Sequence, residues 1–177
     1  MLRKSIQHPA KPIKSPTTSR ENMVSVSDLQ NTEFLIRPIE ARDAAEVCVL
    51  IQQLGYSRPQ DRVTSWIESL GERPERQAAF VACVAGQIVG WIEISIENRL
   101  QSAPHALIGG LVVKEGLRGQ QIGFRLCARA ESWSWERGVG LVRVTSRSTR
   151  TDAHRFYQRN GYRLTKVSHL FEKTKPD

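Results

Sequence analysis

Two features are missing from this chain of 177 residues, and each absence excludes a class of protein. No apolar run approaches the roughly 18 residues that a membrane-spanning helix needs, so we expect no membrane partner. No CxxC or Cys/His ligand spacing occurs around Cys48, Cys83 or Cys127, which excludes a zinc-finger framework and predicts no metal site. Widely spaced cysteines in apolar patterns are typical of free thiols in a reducing compartment, and we therefore expect a cytoplasmic protein.

Acidic residues are absent from the first twenty positions, where five Lys or Arg residues are mixed with Pro, Ser and Thr. Residues 1–32 show no sustained apolar period, which predicts a disordered basic tail ahead of one folded domain over residues 33–175. The tail has no continuous apolar region, which argues against a secretory signal. Its acid-poor start is loosely similar to an organelle transit peptide, and Met23 is an alternative start. Because the tail also lacks aromatic residues, we expect no specific nucleic-acid partner.

Charge is divided unevenly along the rest of the chain. Residues 21–117 contain 8 Lys or Arg against 13 Asp or Glu, whereas residues 118–166 contain 11 against 3. A basic segment favours a polyanionic ligand, and an acidic segment favours a cationic amine. The same distribution is also compatible with an ordinary solvated surface.

Apolar periodicity predicts an alternation of strands and helices. Period-two segments predict strands over residues 33–37, 78–84, 87–96, 105–113, 141–146 and 162–171. Helical spacing predicts helices over residues 40–54 and 122–137, and a short helix that contains Phe156 and Tyr157. Capping-box spacing over residues 57–60, with Pro59 in the first turn, predicts another helix whose apolar positions run from Val63 to Leu70. Paired Gly109 and Gly110 inside a strand indicate a bulge. The predicted fold is an α/β (α+β) domain with a central, mostly antiparallel mixed sheet flanked by helices.

The segment LVVKEGLRGQQIG, residues 111–123, joins a buried strand to a helix through a basic turn that contains glycine. The N–H groups of a helix N-terminus attract phosphate oxygens, glycine lets the backbone approach an anion, and arginine adds a forked charge. The segment therefore predicts a site for a di- or polyphosphate, and the alternative is a solvated connection. The predicted ligand-binding residues are Leu111, Val112, Val113, Arg118, Gly119, Gln120, Gln121, Ile122 and Gly123.

A second segment, RTDAHRFYQRNGY over residues 150–162, follows at a suitable distance. Together the two segments resemble the GNAT acetyltransferase superfamily, and the resemblance covers about residues 34–173. The first resembles its acetyl-coenzyme A motif, Arg/Gln-x-x-Gly-x-Gly/Ala. The second resembles Ala-x-x-Phe-Tyr-x-x-x-Gly-Phe/Tyr, here Ala153, Phe156, Tyr157, Gly161 and Tyr162. The family usually has glycine in place of Gln121, which can still supply its N–H if it adopts helical φ/ψ.

The resemblance implies an enzyme that uses acetyl-CoA as co-substrate and acetylates a primary amine of a small molecule. It also implies that Leu111 and Val113 provide main-chain contacts to the coenzyme along a splayed strand. A homodimer is compatible with the family. Two other functions stay open: a protein or peptide N-acetyltransferase, and a non-catalytic acyl-CoA-binding module, which the substitution at Gln121 would favour.

Two residues are the predicted catalytic groups. Tyr157 matches the family's tyrosine that protonates the leaving thiolate, and the alternative is a structural tyrosine bonded to the backbone. Glu93 lies on the strand face that alternation would share with Val89 and Trp91, and we expect it to accept the amine proton directly or through water. His105 and a water chain without a single base are the alternatives. Since no cysteine is placed near the motifs as an acyl carrier, we expect direct transfer.

Overall fold

The computed structural model describes residues 34–176, so the predicted tail and Glu33 lie outside the described residues. Five strands form one sheet in the order β1-β2-β3-β4-β5. The first four strands pair in antiparallel fashion, and β5 runs parallel to β4. The strands are β1 (Phe34–Pro38), β2 (Gln77–Val84), β3 (Gln87–Arg99), β4 (Ser102–Val113) and β5 (Val142–Val144).

Four α-helices flank the sheet: α1 (Ala44–Gln53), α2 (Gln60–Ser69), α3 (Ile122–Trp135) and α4 (Thr151–Arg159). Short 3₁₀ turns at Ala41–Asp43 and Leu70–Glu72 precede α1 and follow α2. Within residues 34–176, none of the helices is long and apolar enough to cross a bilayer.

Side chains that alternate along the strands form two cores, one on each face of the sheet. One core packs the sheet against α3, where Ile92 and Ile108 meet Ile122 and Leu126. The other core packs the opposite face against α1 and α2, and includes Trp91. The α/β fold with a mostly antiparallel mixed sheet is thereby confirmed.

A bulge on β3 changes which residues share a face with Glu93. Ala82 pairs with Gly90 while Cys83 pairs with Ile88, so Val89 is the extra residue of the ladder. An extra residue reverses the alternation on one side of it. Val89 consequently lies in the α3 core, and its predicted placement on the face of Glu93 is wrong.

The predicted strand over residues 162–171 is also wrong, since this segment has no regular secondary structure. Its apolar residues Leu164, Val167 and Leu170 are spaced by three and are exposed. A spacing of three puts successive side chains on opposite faces of a strand, so the segment has no single apolar face to lay on the core. The preceding strand is shorter than predicted, at three residues.

Candidate active site

Two adjacent glycines on β4 make room for side chains of the neighbouring strand. Gly110 pairs with Glu93 and Ile108 pairs with the next residue of β3, so Gly109 is the extra residue of a β-bulge. A Cβ atom on Gly109 would come within 2.6 Å of Glu93 Oε1, and one on Gly110 within 2.5 Å of the Trp91 ring. The predicted bulge is present, and its glycines leave space for a carboxylate and an indole.

These groups line a cavity of 470 Å³, which we call the Glu93 cavity. Its volume is in the range of small-molecule sites, about 300–1,000 Å³. Helix α1, α2 and the loop between them form the other walls, which are mainly apolar and aromatic. The lining residues are Ile39, Val47, Ile51, Leu54, Tyr56, Ser57, Arg58, Val63, Trp66, Ile67, Trp91, Glu93, Gly109 and Gly110.

A second concavity, of 510 Å³, is lined by residues from β1, α1 and the β2–β3 turn. Its Arg37 and Asp43 side chains bond each other twice, at 2.7 and 2.8 Å. This ion pair holds the pKa of the Asp43 carboxyl below its usual range, although burial opposes the shift. Because these two charges neutralise each other, we assign them a structural role and place the chemistry in the Glu93 cavity.

Glu93 is the only acid, and Arg58 the only base, among the described residues that line the Glu93 cavity. Burial raises the pKa of the Glu93 carboxyl above its usual range, and the positive charge of Arg58 partly opposes this. A carboxylate with a raised pKa accepts a proton from an ammonium more readily. The cavity therefore contains a group able to deprotonate an amine.

The outer edge of β4 is open beside this cavity, because β5 pairs with β4 only over Ala106–Ile108 within the described residues. The N–H of Lys114 donates to the carbonyl of Val89 at 2.8 Å. The main-chain N–H and C=O groups of the even-numbered residues at the end of β4 therefore point toward β3. By alternation, the polar main-chain groups of Leu111 and Val113 point to the open edge. The two residues predicted to make main-chain contacts thus have groups directed away from the sheet.

Gln53, at the end of α1, holds the end of β4 in place. Its Nε2 donates to the carbonyl of Val113 at 2.8 Å, and its Oε1 accepts the N–H of Glu115 at 2.9 Å. Between these contacts and the bulge, the Val112 side chain is buried in the α1–α2 core. Helix α1 therefore fixes the point from which the basic turn leaves the sheet.

The basic turn reaches α3 through two residues in the left-handed region. Gly119 has φ +83°, and Gln121, the N-cap of α3, has φ +60° and ψ +4°. The right-handed helical φ/ψ under which Gln121 would supply its N–H is therefore not adopted. Because Gln121 takes the conformation that glycine favours, the turn retains a glycine-like path at a cost of about 1–2 kcal/mol. Arg118, Gly119 and Gln120 are exposed along this turn.

The N-terminus of α3 has free N–H groups. Among residues 34–176, no side chain caps this helix, and its first turn has no acidic residue. The first i to i−4 hydrogen bond is donated by the Arg125 N–H to the Gln121 carbonyl at 3.0 Å, so the N–H groups of residues 122–124 precede it. With exposed Arg118 beside them, these groups provide donors and positive charge suited to phosphate.

Gly123 connects the two sequence motifs. It is buried on α3, and a Cβ atom there would come within 3.1 Å of Phe156 Cζ. Phe156 in turn contacts Tyr157 edge-on, with 5.2 Å between ring centroids. The absence of a side chain at Gly123 thus brings α4 against the start of α3, next to Ile122 in the core.

Tyr157 has a hydroxyl with no hydrogen-bond partner in the described part of the chain. Its ring is half-buried and packs edge-on against Tyr162, 5.5 Å away. Burial raises the pKa of Tyr157 to about 12, so the phenol stays protonated at neutral pH. The neighbouring Tyr162 donates its hydroxyl to Glu131 at 2.5 Å. The bonded, structural tyrosine of this pair is therefore Tyr162, and Tyr157 has a proton available.

One cysteine lies closer to this region than the sequence indicated. Cys127 on α3 is close enough to Tyr157 and Tyr162 for their charges to interact. Its side chain is 1% exposed, and burial raises the pKa of the thiol to about 12. A buried, protonated thiol is a poor nucleophile, so Cys127 does not provide an acyl carrier.

The alternative base, His105, is buried away from the lining of the Glu93 cavity. Its Nε2 accepts from Arg143 Nη1 at 3.2 Å, which leaves Nδ1 to donate to the carbonyl of Ala103 at 3.2 Å. Both ring nitrogens are thus occupied in packing. His154 likewise uses its Nε2 on the carbonyl of Arg147, at 3.0 Å.

Sequence reasoning missed the arginines that connect the two walls of the site. Arg150 Nη2 donates to the carbonyl of Leu54 at 3.1 Å, and Arg147 Nη2 to the Tyr56 hydroxyl at 3.4 Å. These contacts join residues more than ninety positions apart, so no local pattern could indicate them. The excess of basic residues after position 118 was their only signal in the sequence.

Comparison with known proteins gives one family. The model of the acetyltransferase (GNAT) family matches residues 41–162. An aminoalkylphosphonate N-acetyltransferase from Salmonella typhimurium is 39% identical over 79 residues, which are 44% of this chain. The matched part spans about half, 51%, of that relative.

Solved structures share the fold. AAC(6')-Iy, in complex with the bisubstrate analogue CoA-S-monomethyl-acetylneamine, superposes with a TM-score of 0.71 at 20% identity over 81% of this chain and 99% of that one. A transcriptional regulator from Bacillus halodurans C-125 superposes with a TM-score of 0.66 at 27% identity, covering 81% of this chain and 99% of the other.

Proposed function

Since the chain belongs to the acetyltransferase (GNAT) family, we propose that it is an N-acetyltransferase that moves acetyl from acetyl-CoA directly to the primary amine of a small molecule. One observation carries this proposal. The Glu93 carboxylate lies over the β4 bulge inside the Glu93 cavity, and the open edge of the same strand begins at that bulge. An amine in the cavity and a thioester on the edge would therefore meet at Gly109 and Gly110.

The residues present fit acetyl-CoA, which would supply the activated acetyl group. The uncapped N–H groups of α3 and the exposed Arg118 would hold the pyrophosphate. The backbone of Gly119, Gln120 and Gln121 would run alongside it. The polar main-chain groups of Leu111 and the N–H of Val113 would pair with the amide-bearing arm, since the Val113 carbonyl is bonded to Gln53. A main-chain N–H on this edge would also stabilise the negative charge that develops on the acetyl oxygen.

Two side chains would accept and donate the protons of the reaction. The reaction forms an N–C bond and breaks a C–S bond, and the ammonium loses two protons in the process. Glu93 would accept the first proton before attack, directly or through water, and pass it to solvent. Tyr157 would donate its proton to the departing sulfur and be reprotonated by the second. The hydroxyl of Tyr157 has no competing partner in the described residues, which supports this role.

The shape of the cavity supports a small acceptor over a peptide. Arg150 and Arg147 tie the loop after β5 to Leu54 and Tyr56 on the opposite wall. An extended peptide needs a groove that is open at both ends, and a loop bonded to Leu54 and Tyr56 would restrict such a groove. The name of the relative, an aminoalkylphosphonate N-acetyltransferase, also supports a small amine.

Location and assembly belong to the same proposal. The free cysteines at positions 48, 83 and 127 support a reducing, cytoplasmic location. Exposed Leu164, Val167, Leu170 and Phe171, which are 77–89% accessible, provide apolar surface that a second copy would cover in a homodimer. Sedimentation of the full chain and of a chain that ends at residue 162 tests this: a dimer that persists after truncation would contradict it.

Titration with acetyl-CoA, followed by thiol release across a panel of amines, tests the proposed activity. We expect saturable acetyl-CoA binding and thiol release that depends on a small primary amine. Binding without release from any amine, but with release from lysine-containing peptides, would favour the peptide acetyltransferase. Binding without any release would favour a non-catalytic acyl-CoA module, and no binding would refute the coenzyme site.

A further inference from the structure

We propose that the acceptor is a small aminoalkyl compound that also carries an anionic group, and that Arg58 binds this group. The inference rests on the proposed acetyltransferase function and names the substrate class of the same cavity. The acceptor would be zwitterionic: its ammonium would lie at Glu93, and its phosphonate or carboxylate would lie at Arg58.

The charges of the Glu93 cavity support a zwitterion. Glu93 and Arg58 are the two charged residues among the described residues of its lining. The Arg58 guanidinium is exposed and has no hydrogen bond or ion pair to any described residue. Its carbonyl accepts a contact from Cys48 Sγ at 3.9 Å, which leaves the side chain uninvolved. The Arg58 charge acts on Glu93 from a distance, and a forked guanidinium with no hydrogen-bonded partner among the described residues suits a phosphonate or carboxylate.

Two further arginines contact residues of the cavity lining. Arg147 bonds the Tyr56 hydroxyl and Arg150 bonds the Leu54 carbonyl. Among the described residues, the lining itself contains one arginine and one carboxylate. A polycationic amine would be repelled, whereas a compound with one ammonium and one anionic group would match both signs. The acidic excess of residues 21–117, which favoured a cationic acceptor, contributes only Glu93 to this lining.

A second donor lies in the wall. Trp91 lines the cavity, its side chain is 7% exposed, and its indole N–H has no hydrogen-bond partner among the described residues. Buried polar groups are normally bonded, and an unpaired one in a cavity wall is often completed by a ligand or a water. The nitrogen of Trp91 has no accessible surface, so the anion contact is assigned to Arg58 alone.

Three amines of similar length separate the alternatives: 2-aminoethylphosphonate, neutral ethanolamine and dicationic 1,3-diaminopropane. We expect kcat/KM to be at least about tenfold higher for the phosphonate than for either other amine. Arg58→Gln should lower kcat/KM about tenfold more for the phosphonate than for ethanolamine, through KM, because the loss of its charge beside Glu93 acts on both amines alike. Arg62→Gln, an exposed arginine on α2 outside the lining, is the matched control and should change none of these values.

The outcomes distinguish this inference from the proposed function. Preference for the diamine, or an equal loss for all three amines in Arg58→Gln, would overturn the anion site while leaving the acetyltransferase intact. If no amine releases thiol, the proposed function fails. Calorimetry of 2-aminoethylphosphonate into the CoA-saturated protein then decides the anion site alone: binding lost in Arg58→Gln but kept in Arg62→Gln supports it, and any other pattern overturns it. Thermal unfolding shows whether each variant is folded.

Discussion

The ring of Phe156 lies against Gly123, with 3.1 Å between its Cζ and the position of a Cβ on that glycine. This contact joins the helix that follows the basic turn to the helix that carries Tyr157. The proposed phosphate donors and the proposed general acid therefore depend on one packing contact, although they are more than thirty residues apart in the chain.

Gly123→Val should displace Phe156, because its branched side chain needs space that the ring occupies. We expect a loss of about 1–3 kcal/mol of stability and weaker acetyl-CoA binding, measured by urea unfolding and calorimetry. The control is Gly140→Val, since a Cβ on Gly140 meets nothing within 4 Å. Unaltered coenzyme affinity in Gly123→Val would show that the α3–α4 contact does not support the coenzyme site.

Gln121→Gly should relieve the left-handed conformation at the start of α3. Compared with Gln120→Gly, whose backbone has no positive φ, we expect Gln121→Gly to be more stable by about 1 kcal/mol. Coenzyme affinity should be retained, because the path of the turn is unchanged. Equal stability of the two variants would mean that Gln121 bears no strain.

Tyr157→Phe should lower kcat by about 10²-fold or more and leave acetyl-CoA affinity and stability unchanged, because the lost hydroxyl has no partner in the described residues. Tyr162→Phe is the matched control. It loses the bond to Glu131 and should cost about 1 kcal/mol of stability with little effect on kcat. The reverse pattern would assign the structural role to Tyr157.

Glu93→Gln should lower kcat/KM by about 10²-fold or more and should abolish the decrease of kcat/KM at low pH. A base works when deprotonated, so activity falls as the pH drops through the pKa of Glu93, which burial raises above the usual range. The same raised pKa makes the native state bind more protons than the unfolded state, so stability falls as the pH rises through this window.

Neutralising Glu93 should therefore raise Tm at pH 7 while activity is lost. The control is Glu97→Gln, on the same strand but outside the cavity lining, which should keep the decrease of kcat/KM at low pH. Loss of both stability and activity in Glu93→Gln would indicate a structural carboxylate.

Gln53→Ala should raise KM for acetyl-CoA with little change in kcat, because its two hydrogen bonds position the end of β4 and not the reacting atoms. The loss of two bonds should cost about 1–3 kcal/mol in urea unfolding. Gln52→Ala, at an exposed neighbouring position, should behave as the parent protein. A fall in kcat alone would argue that Gln53 acts elsewhere.

Local pattern was sufficient for most elements of this fold. Helical spacing predicted α1 and α3, and period-two alternation predicted β2 and β3. Where pattern failed, the cause was a departure from periodicity. The extra residue at Val89 put its side chain on the opposite face of the sheet from the predicted one. After Gly161, apolar residues spaced by three left the segment without a single apolar face.

The sequence by itself determined the order of strands and helices, the bulge at the paired glycines and the resemblance of two motifs to one family, because these depend on local spacing and residue type. Only the tertiary structure decided which side chains meet. The pairing of β3 with β4 brings Glu93 over Gly109, and α1 and α2 close a cavity around it that includes Arg58. Such contacts join residues distant in the chain, and packing geometry, which no local periodicity encodes, selects them.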